Sequence, residues 1–350
     1  MPEITGKERV MAAFQREYAD RVPVMIAAAM NSLHLIGSTL EDYLLNDRIA
    51  MEATAKALEV FPSDLVRVPG DPLLPMTAQA RYRKKHGPDT RMEPPLKDKA
   101  RIQDFSFQDP KKSSSYRPYI DLCRQAAEGF PDKVAVALFP GPWSGAVNFR
   151  GAEDIILDTV DDPEFVHRLM RIATDLAIAR GMALAETGVL MVVSGDPSAS
   201  CSLISPKIYR QFVQPYHREL MGVLKGKTGG KVWCGLHICG YIDPIMEEVL
   251  DTGPDFIEID GPSSLKKMVE VSKKRAVIRG NLSVELFLHG TREEIDQAVR
   301  SCIETAAAGS AYILSHGCAL PPDASLDSIR YYMEAAFKYG IYGSPFLRLP

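Results

Sequence analysis

Several features that would fix the class of this 350-residue chain at once are missing. No run approaches the roughly 18 apolar residues that a membrane span needs. The longest nearly uninterrupted apolar stretch is Val22–Met30. The first residues, Met1-Pro-Glu-Ile-Thr-Gly-Lys-Glu-Arg9, are polar, and no apolar signal core follows them. Positive charge is not in excess: 41 Lys and Arg against 45 Asp and Glu leave a net −4, which argues against non-specific nucleic-acid binding. Cysteine is sparse, with six residues scattered through the chain. In the reducing cytoplasm expected here they read as packing, metal-binding or reactive thiols rather than a disulfide frame. What is present, 46% hydrophobic and 25% charged residues, is an ordinary globular composition that excludes wholesale disorder.

Short β-branched runs alternate with long amphipathic stretches from end to end. The predicted strands are Val22–Ile26, Leu65–Val68, Val134–Leu138, Leu190–Ser194, Val232–His237, Phe256–Asp260, Ala276–Arg279 and Ala311–Ser315. Helical patterns follow at Pro163–Thr187, Pro206–Leu224, Pro244–Thr252, Arg292–Ala308 and Ser325–Tyr339. Several start on Pro, whose missing N–H is harmless in a first turn. Others stop at Gly188 or Gly253, suited to a left-handed cap. Eight such units predict a single (β/α)8 TIM barrel over residues 1–350, with an open doubly wound sheet as the alternative. Residues 69–118 break the repeat with eight prolines and the basic run Arg81–His86. They predict an insertion after the second strand, with a short hairpin around Thr77–Arg83. The basic run reads as a solvated face or as a docking surface for an acidic partner.

A barrel builds its active site at the C-terminal ends of its strands, where side chains alternate between interior and helix layer. In Lys231-Val-Trp-Cys-Gly-Leu-His-Ile-Cys-Gly240, His237 and Cys239 share one face, and Cys234, Leu236 and Ile238 share the other. The eighth strand runs Tyr312-Ile-Leu-Ser-His-Gly-Cys318 and carries Cys318 to the same rim. One His and two Cys are a plausible three-ligand zinc set with a fourth position open, as at catalytic sites. Two thiolates neutralise Zn²⁺, so a substrate thiol bound there can stay electron-rich, and the thiolate is the nucleophile. The plain alternative is small buried residues, a common fate of free Cys. Glu258 and Asp260 share a strand face. Asp260, nearer the strand end, reads as a fourth zinc ligand before substrate arrives, as a group orienting His237, or as a polar cap. Asp196, ending the fourth strand, reads as a substrate contact or as a turn residue before Pro197. Cys201 lies in the following loop, and Cys123 and Cys302 fall in helical patterns that suit core positions.

Two motif-like segments fail on context. Gly222–Thr228 resembles a phosphate-binding loop, but Met221 stands at the required first glycine and the segment precedes a strand instead of following one. Ser32–Gly37 carries the His-x-x-Gly of a corrinoid-binding motif without its leading Asp.

Taken together, Asp20-Arg-Val-Pro-Val24, Gly141-Pro-Trp143, Asp196-Pro-Ser-Ala-Ser200, Leu203-Ile-Ser-Pro206, Gln214-Pro-Tyr216 and Gly280-Asn281 resemble the uroporphyrinogen decarboxylase superfamily over most of the chain. His237-Ile-Cys-Gly240 with Gly317-Cys318 resembles the zinc motif of its corrinoid-dependent branch, the methylcobamide:coenzyme M methyltransferases. The resemblance implies a (β/α)8 barrel with zinc on His237, Cys239 and Cys318. It also implies a small-molecule methyl acceptor and a methylcobalamin-type corrinoid supplied in trans by a partner protein. His316 matches a histidine of the decarboxylases. Ile26-Ala-Ala-Ala-Met-Asn-Ser32, however, holds no cation where that branch places arginines for its tetrapyrrole. Porphyrinogen decarboxylation is therefore the weaker expectation. Demethylation of a methoxylated aromatic or methylated amine is a further alternative, as is a non-enzymatic barrel with a structural zinc.

Overall fold

The computed structural model describes residues 4–70 and 94–348. Eight parallel strands appear where the pattern placed them: β1 Val24–Met25, β2 Leu65–Arg67, β3 Val134–Pro140, β4 Met191–Gly195, β5 Trp233–Ile238, β6 Phe256–Ile259, β7 Val277–Leu282 and β8 Tyr312–His316. Consecutive strands pair from β2 to β8, and β8 pairs with β1 through Val24 opposite Leu314. This order is a barrel, and the doubly wound alternative falls away. The predicted hairpin and basic run lie outside the described residues. The rest of the expected insertion includes a 3₁₀ turn, Lys99–Asp104, and the start of the helix Arg117–Gly129. Among the described residues no helix is long and apolar enough to cross a membrane.

The strands are apolar on both faces because both are covered. Met25, Leu65, Val136, Met191, Val193, Phe256, Val277 and Ile313 fill the interior. The alternate positions pack outward beneath the helices. The helix Gly6–Gln15 starts with a Thr5/Glu8 capping box and plugs the bottom, where Phe14 stacks on Trp233 at 3.8 Å. Gly188 and Gly253 take φ of +94° and +83°, as expected of left-handed caps. The predicted helix over 206–224 is interrupted. A π-helical segment, Tyr209–Val213, precedes the helix Gln214–Thr228. Pro215 explains the break, since it has no N–H for the regular ladder, and the wider turn absorbs the missing bond.

The seam between β1 and β2 closes through side chains. Asp64 N donates to Val24 O at 2.9 Å, and Val24 N donates to Asp64 Oδ2 at 2.8 Å. Ser63 Oγ accepts from Ile26 N at 3.2 Å. The same buried Asp64 receives Arg21 at 2.6 Å and Arg9 at 3.2 Å. Asp64→Ala should therefore lower unfolding free energy by about 2–3 kcal/mol, because Arg21 loses its carboxylate, the Val24 N–H loses its acceptor and Arg9 keeps only Asp20. Urea unfolding followed by circular dichroism reads this loss, and an unchanged midpoint would show that the seam does not depend on it.

Candidate metal centre

Strand alternation delivers His237 to the interior face at the top of β5, in register with Gly195 of β4 and Glu258 of β6. Cys239 follows one residue past the strand. Cys318 arrives from β8 on a loop that crosses Asp260 and Gly261 very closely. A Cβ on Gly317 would sit 2.6 Å from Gly261 N, so only glycine lets this loop reach the rim. His237 Nε2 lies 3.1 Å from Cys239 Sγ, and Cys239 Sγ lies 3.6 Å from Cys318 Sγ. All three ligand atoms fall within 4.8 Å of one another, the one such group found among the described residues. Two thiolates on a tetrahedral zinc, each about 2.3 Å from the ion, stand about 3.8 Å apart. The observed sulfur separation therefore fits without rearrangement.

The hydrogen bonding prepares the imidazole for a metal. His237 Nδ1–H donates to the Glu258 main-chain carbonyl at 3.2 Å, leaving the Nε2 lone pair aimed at the sulfurs. Burial acts to lower the His237 pKa, but the Glu258 carboxylate and Cys318 outweigh it and raise it to about 8. The hydrogen bond from Cys239 and the facing His237 pull Cys318 down to about 5, and Cys239 is pushed well above the usual thiol range. Without metal these shifts favour a proton on His237 and on Cys239 and charge on Cys318. A bound metal displaces those protons.

The Glu258 carboxylate lies between Arg279 and the His237 ring, 3.7 Å from His237 Nδ1. It is buried, and although burial opposes ionisation, Arg279, His237 and Arg67 bring its carboxyl down to about 2. Arg279 Nη2 donates to Glu258 Oε2 at 2.5 Å from the paired position on β7. Its guanidinium lies 5.3 Å over Phe256, and its Nε and Nη1 are buried without a partner among the described residues. Arg67 and Arg279 went unnoticed in the sequence. The available signal was a lone cation on the inward phase of an otherwise apolar strand.

The structure does not bring Asp260 into the ligand group. Its Oδ2 accepts from Gly240 N at 2.8 Å and its Oδ1 from Gly261 N at 2.7 Å, so it braces the loop that carries Cys239. The oxygens of Asp196, expected as a substrate contact or a turn residue, are engaged within the protein. The residue is wholly buried, accepting from Trp143 N at 3.0 Å and Ser144 N at 2.6 Å as the cap of the helix Pro142–Arg150. His217 Nε2 completes the set at 2.8 Å, and its Nδ1 meets Tyr209 Oη at 3.2 Å. His316 is held neutral, its pKa lowered to about 4 by burial. Its Nδ1–H donates to Cys318 O while Nε2 accepts from Ala27 N at 3.1 Å, tying the loop after β1 to the Cys318 loop. Cys201 stays outside the cluster, its N donating to Tyr241 O. Cys123 is in the core, and Cys302 packs against it.

A family model described as uroporphyrinogen decarboxylase (URO-D) matches residues 5–339. The chain is 30% identical over 227 residues to the methylated-thiol–coenzyme M methyltransferase of Methanosarcina mazei, an alignment covering 62% of this chain and 56% of that protein. It is 24% identical to the methylcobamide:CoM methyltransferase MtbA of Methanosarcina acetivorans, over 97% of this chain and 99% of the relative. A uroporphyrinogen decarboxylase of Xylella fastidiosa shares 22% identity over 94% of the chain and 97% of its own length. A solved methyltransferase from Methanosarcina mazei has the same fold, with a TM-score of 0.81 at 22% identity, over 96% of this chain and 99% of that one. The chain belongs to the uroporphyrinogen decarboxylase (URO-D) family and groups with its methyltransferase relatives.

Proposed function

We propose that the chain is a zinc-dependent methyltransferase that moves a methyl group from a corrinoid, carried by a separate protein, to a small thiol. The observation that carries this reading is the His237, Cys239 and Cys318 cluster at the mouth of the barrel. His237, Cys239 and Cys318 would hold a zinc ion, which would supply a Lewis acid able to lower the pKa of a bound thiol. The three side chains add two negative charges, which cancel the ion's charge and leave the substrate sulfur its nucleophilicity. The substrate sulfur gives its electron pair to the methyl carbon. The carbon–cobalt pair returns to the metal of the corrinoid, so Co(III) leaves as Co(I). Glu258, pinned by Arg279, keeps His237 in place through its carbonyl, and Asp260 fixes the loop of Cys239.

The segment Ile26–Ser32 has Ile26, Ala28 and Ser32 buried and presents no cation. A tetrapyrrole with several carboxylates would find no bidentate partner on it. Two incubations separate the activities. Methylcobalamin with a small thiol should lose its absorbance in the presence of the zinc-loaded protein, whereas uroporphyrinogen should be recovered unchanged. Decarboxylation of uroporphyrinogen at an appreciable rate would overturn the assignment.

A further inference from the structure

An apolar cleft opens at the β1–β2 seam, where the two strands lack a regular ladder. Its walls include Ala27, Ala28, Ala57, Val68, Ala319 and Leu320. Small side chains converge there from four parts of the chain, and the space left is about 70 Å³. An apolar cavity of about 150 Å³ takes up benzene, so this one has room for about three carbon atoms. Among the described lining residues the one charged side chain is Arg67, whose charge acts on Glu258. Two links join the cleft to the metal cluster. Ala319 and Leu320 directly follow Cys318 in the chain. His316 binds Ala27 N with one ring nitrogen and Cys318 O with the other, so cleft wall and ligand loop are held as one unit.

We propose that this cleft is the subsite for a short, uncharged alkyl group carried by the substrate sulfur. The proposal rests on the thiol-methyltransferase reading and adds a selectivity to it. A sulfonate or carboxylate placed against the alanine, valine and leucine walls would lose its water there without regaining hydrogen bonds, and Arg67, the cation of the described lining, already acts on Glu258. An alkyl chain gains by the same transfer, about fourfold in affinity for each methylene buried. Ala57 is the natural place to close the cleft, because leucine there adds three carbons, as many as the space admits.

The test uses zinc-loaded protein, methylcobalamin, and the series methanethiol, ethanethiol and 1-propanethiol. From the first thiol to the third, KM should fall by about 16-fold, fourfold for each of two methylenes. Ala57→Leu should flatten the series while retaining its zinc, and Ala319→Val, at an exposed wall position, should reduce the slope. A flat series in the native protein, or a KM for 2-mercaptoethanesulfonate below that of 1-propanethiol, would overturn the proposal. Xenon under pressure, located in crystals of the native protein, gives a readout that needs no turnover. Xenon should occupy the cleft and be lost in Ala57→Leu. An empty cleft contradicts the subsite whatever the turnover. If no thiol accepts methyl while xenon still binds, the transferase reading fails and the apolar cleft stands as a binding site of another reaction.

Discussion

Cys239→Ala and Cys318→Ala should each weaken zinc binding by at least about a hundredfold, because either change leaves two ligands where three define the site. The separations behind this expectation are 3.1 Å from His237 Nε2 to Cys239 Sγ and 3.6 Å between the sulfurs. A chelator competition at neutral pH measures the loss. Asp260→Ala is the internal contrast. Both its carboxylate oxygens already hold backbone N–H groups of Gly240 and Gly261, so that variant should keep most of its zinc and change turnover through the Cys239 loop. Full zinc retention in both cysteine variants would remove the metal centre from the account.

Glu258→Ala should cost about 3–5 kcal/mol of stability, the usual consequence of stranding a buried charge. Arg279 is 1% exposed, and among the described residues Glu258 is the one carboxylate to which it is hydrogen-bonded, through Nη2. Two of its donors already lack a partner among the described residues. Removing Glu258 leaves the guanidinium in the barrel interior, over Phe256, without the carboxylate it is bonded to. Replacing the pair together, by Glu258→Gln with Arg279→Met, should cost much less than the single change, since neither partner then remains charged. Chemical unfolding of Glu258→Gln, Arg279→Met and the double variant gives the coupling energy. A double loss equal to the sum of the two single losses would show that the pair is not coupled.

The barrel was legible because its signal is local. Many strands are short apolar runs rich in β-branched residues, and several helices begin on Pro or stop near a left-handed Gly, as with Pro163 and Gly188. The ligand trio was legible for a related reason: period-two alternation puts His237 and Cys239 on one face, and β8 ends beside them. What the sequence hid were pairings across long separations. Asp196 looked free for substrate because its partners, Trp143 N, Ser144 N and His217, lie 53, 52 and 21 residues away. His316 carries a tie to Ala27 across 289 residues. Asp260 shares a strand face with Glu258, yet its oxygens serve backbone groups that no side-chain pattern reveals. Arg279 escaped notice because a single charge in an apolar strand has no periodic signature until its partner strand is known.

The central claim is transfer of a methyl group from cobalt to sulfur at the His237, Cys239 and Cys318 cluster. It is tested most directly by following the methyl group itself. Deuterated methylcobalamin and a small thiol are mixed anaerobically with the zinc-loaded protein, with the metal-stripped protein, and with the double variant Cys239→Ala, Cys318→Ala. Mass spectrometry then reads the label on sulfur while absorbance reads Co(I). The account predicts labelled methyl thioether and Co(I) in equal amounts with the loaded protein, little of either after stripping, recovery on adding zinc, and none in the double variant. Label that stays on cobalt with the loaded protein, or transfer undiminished in the double variant, would contradict it.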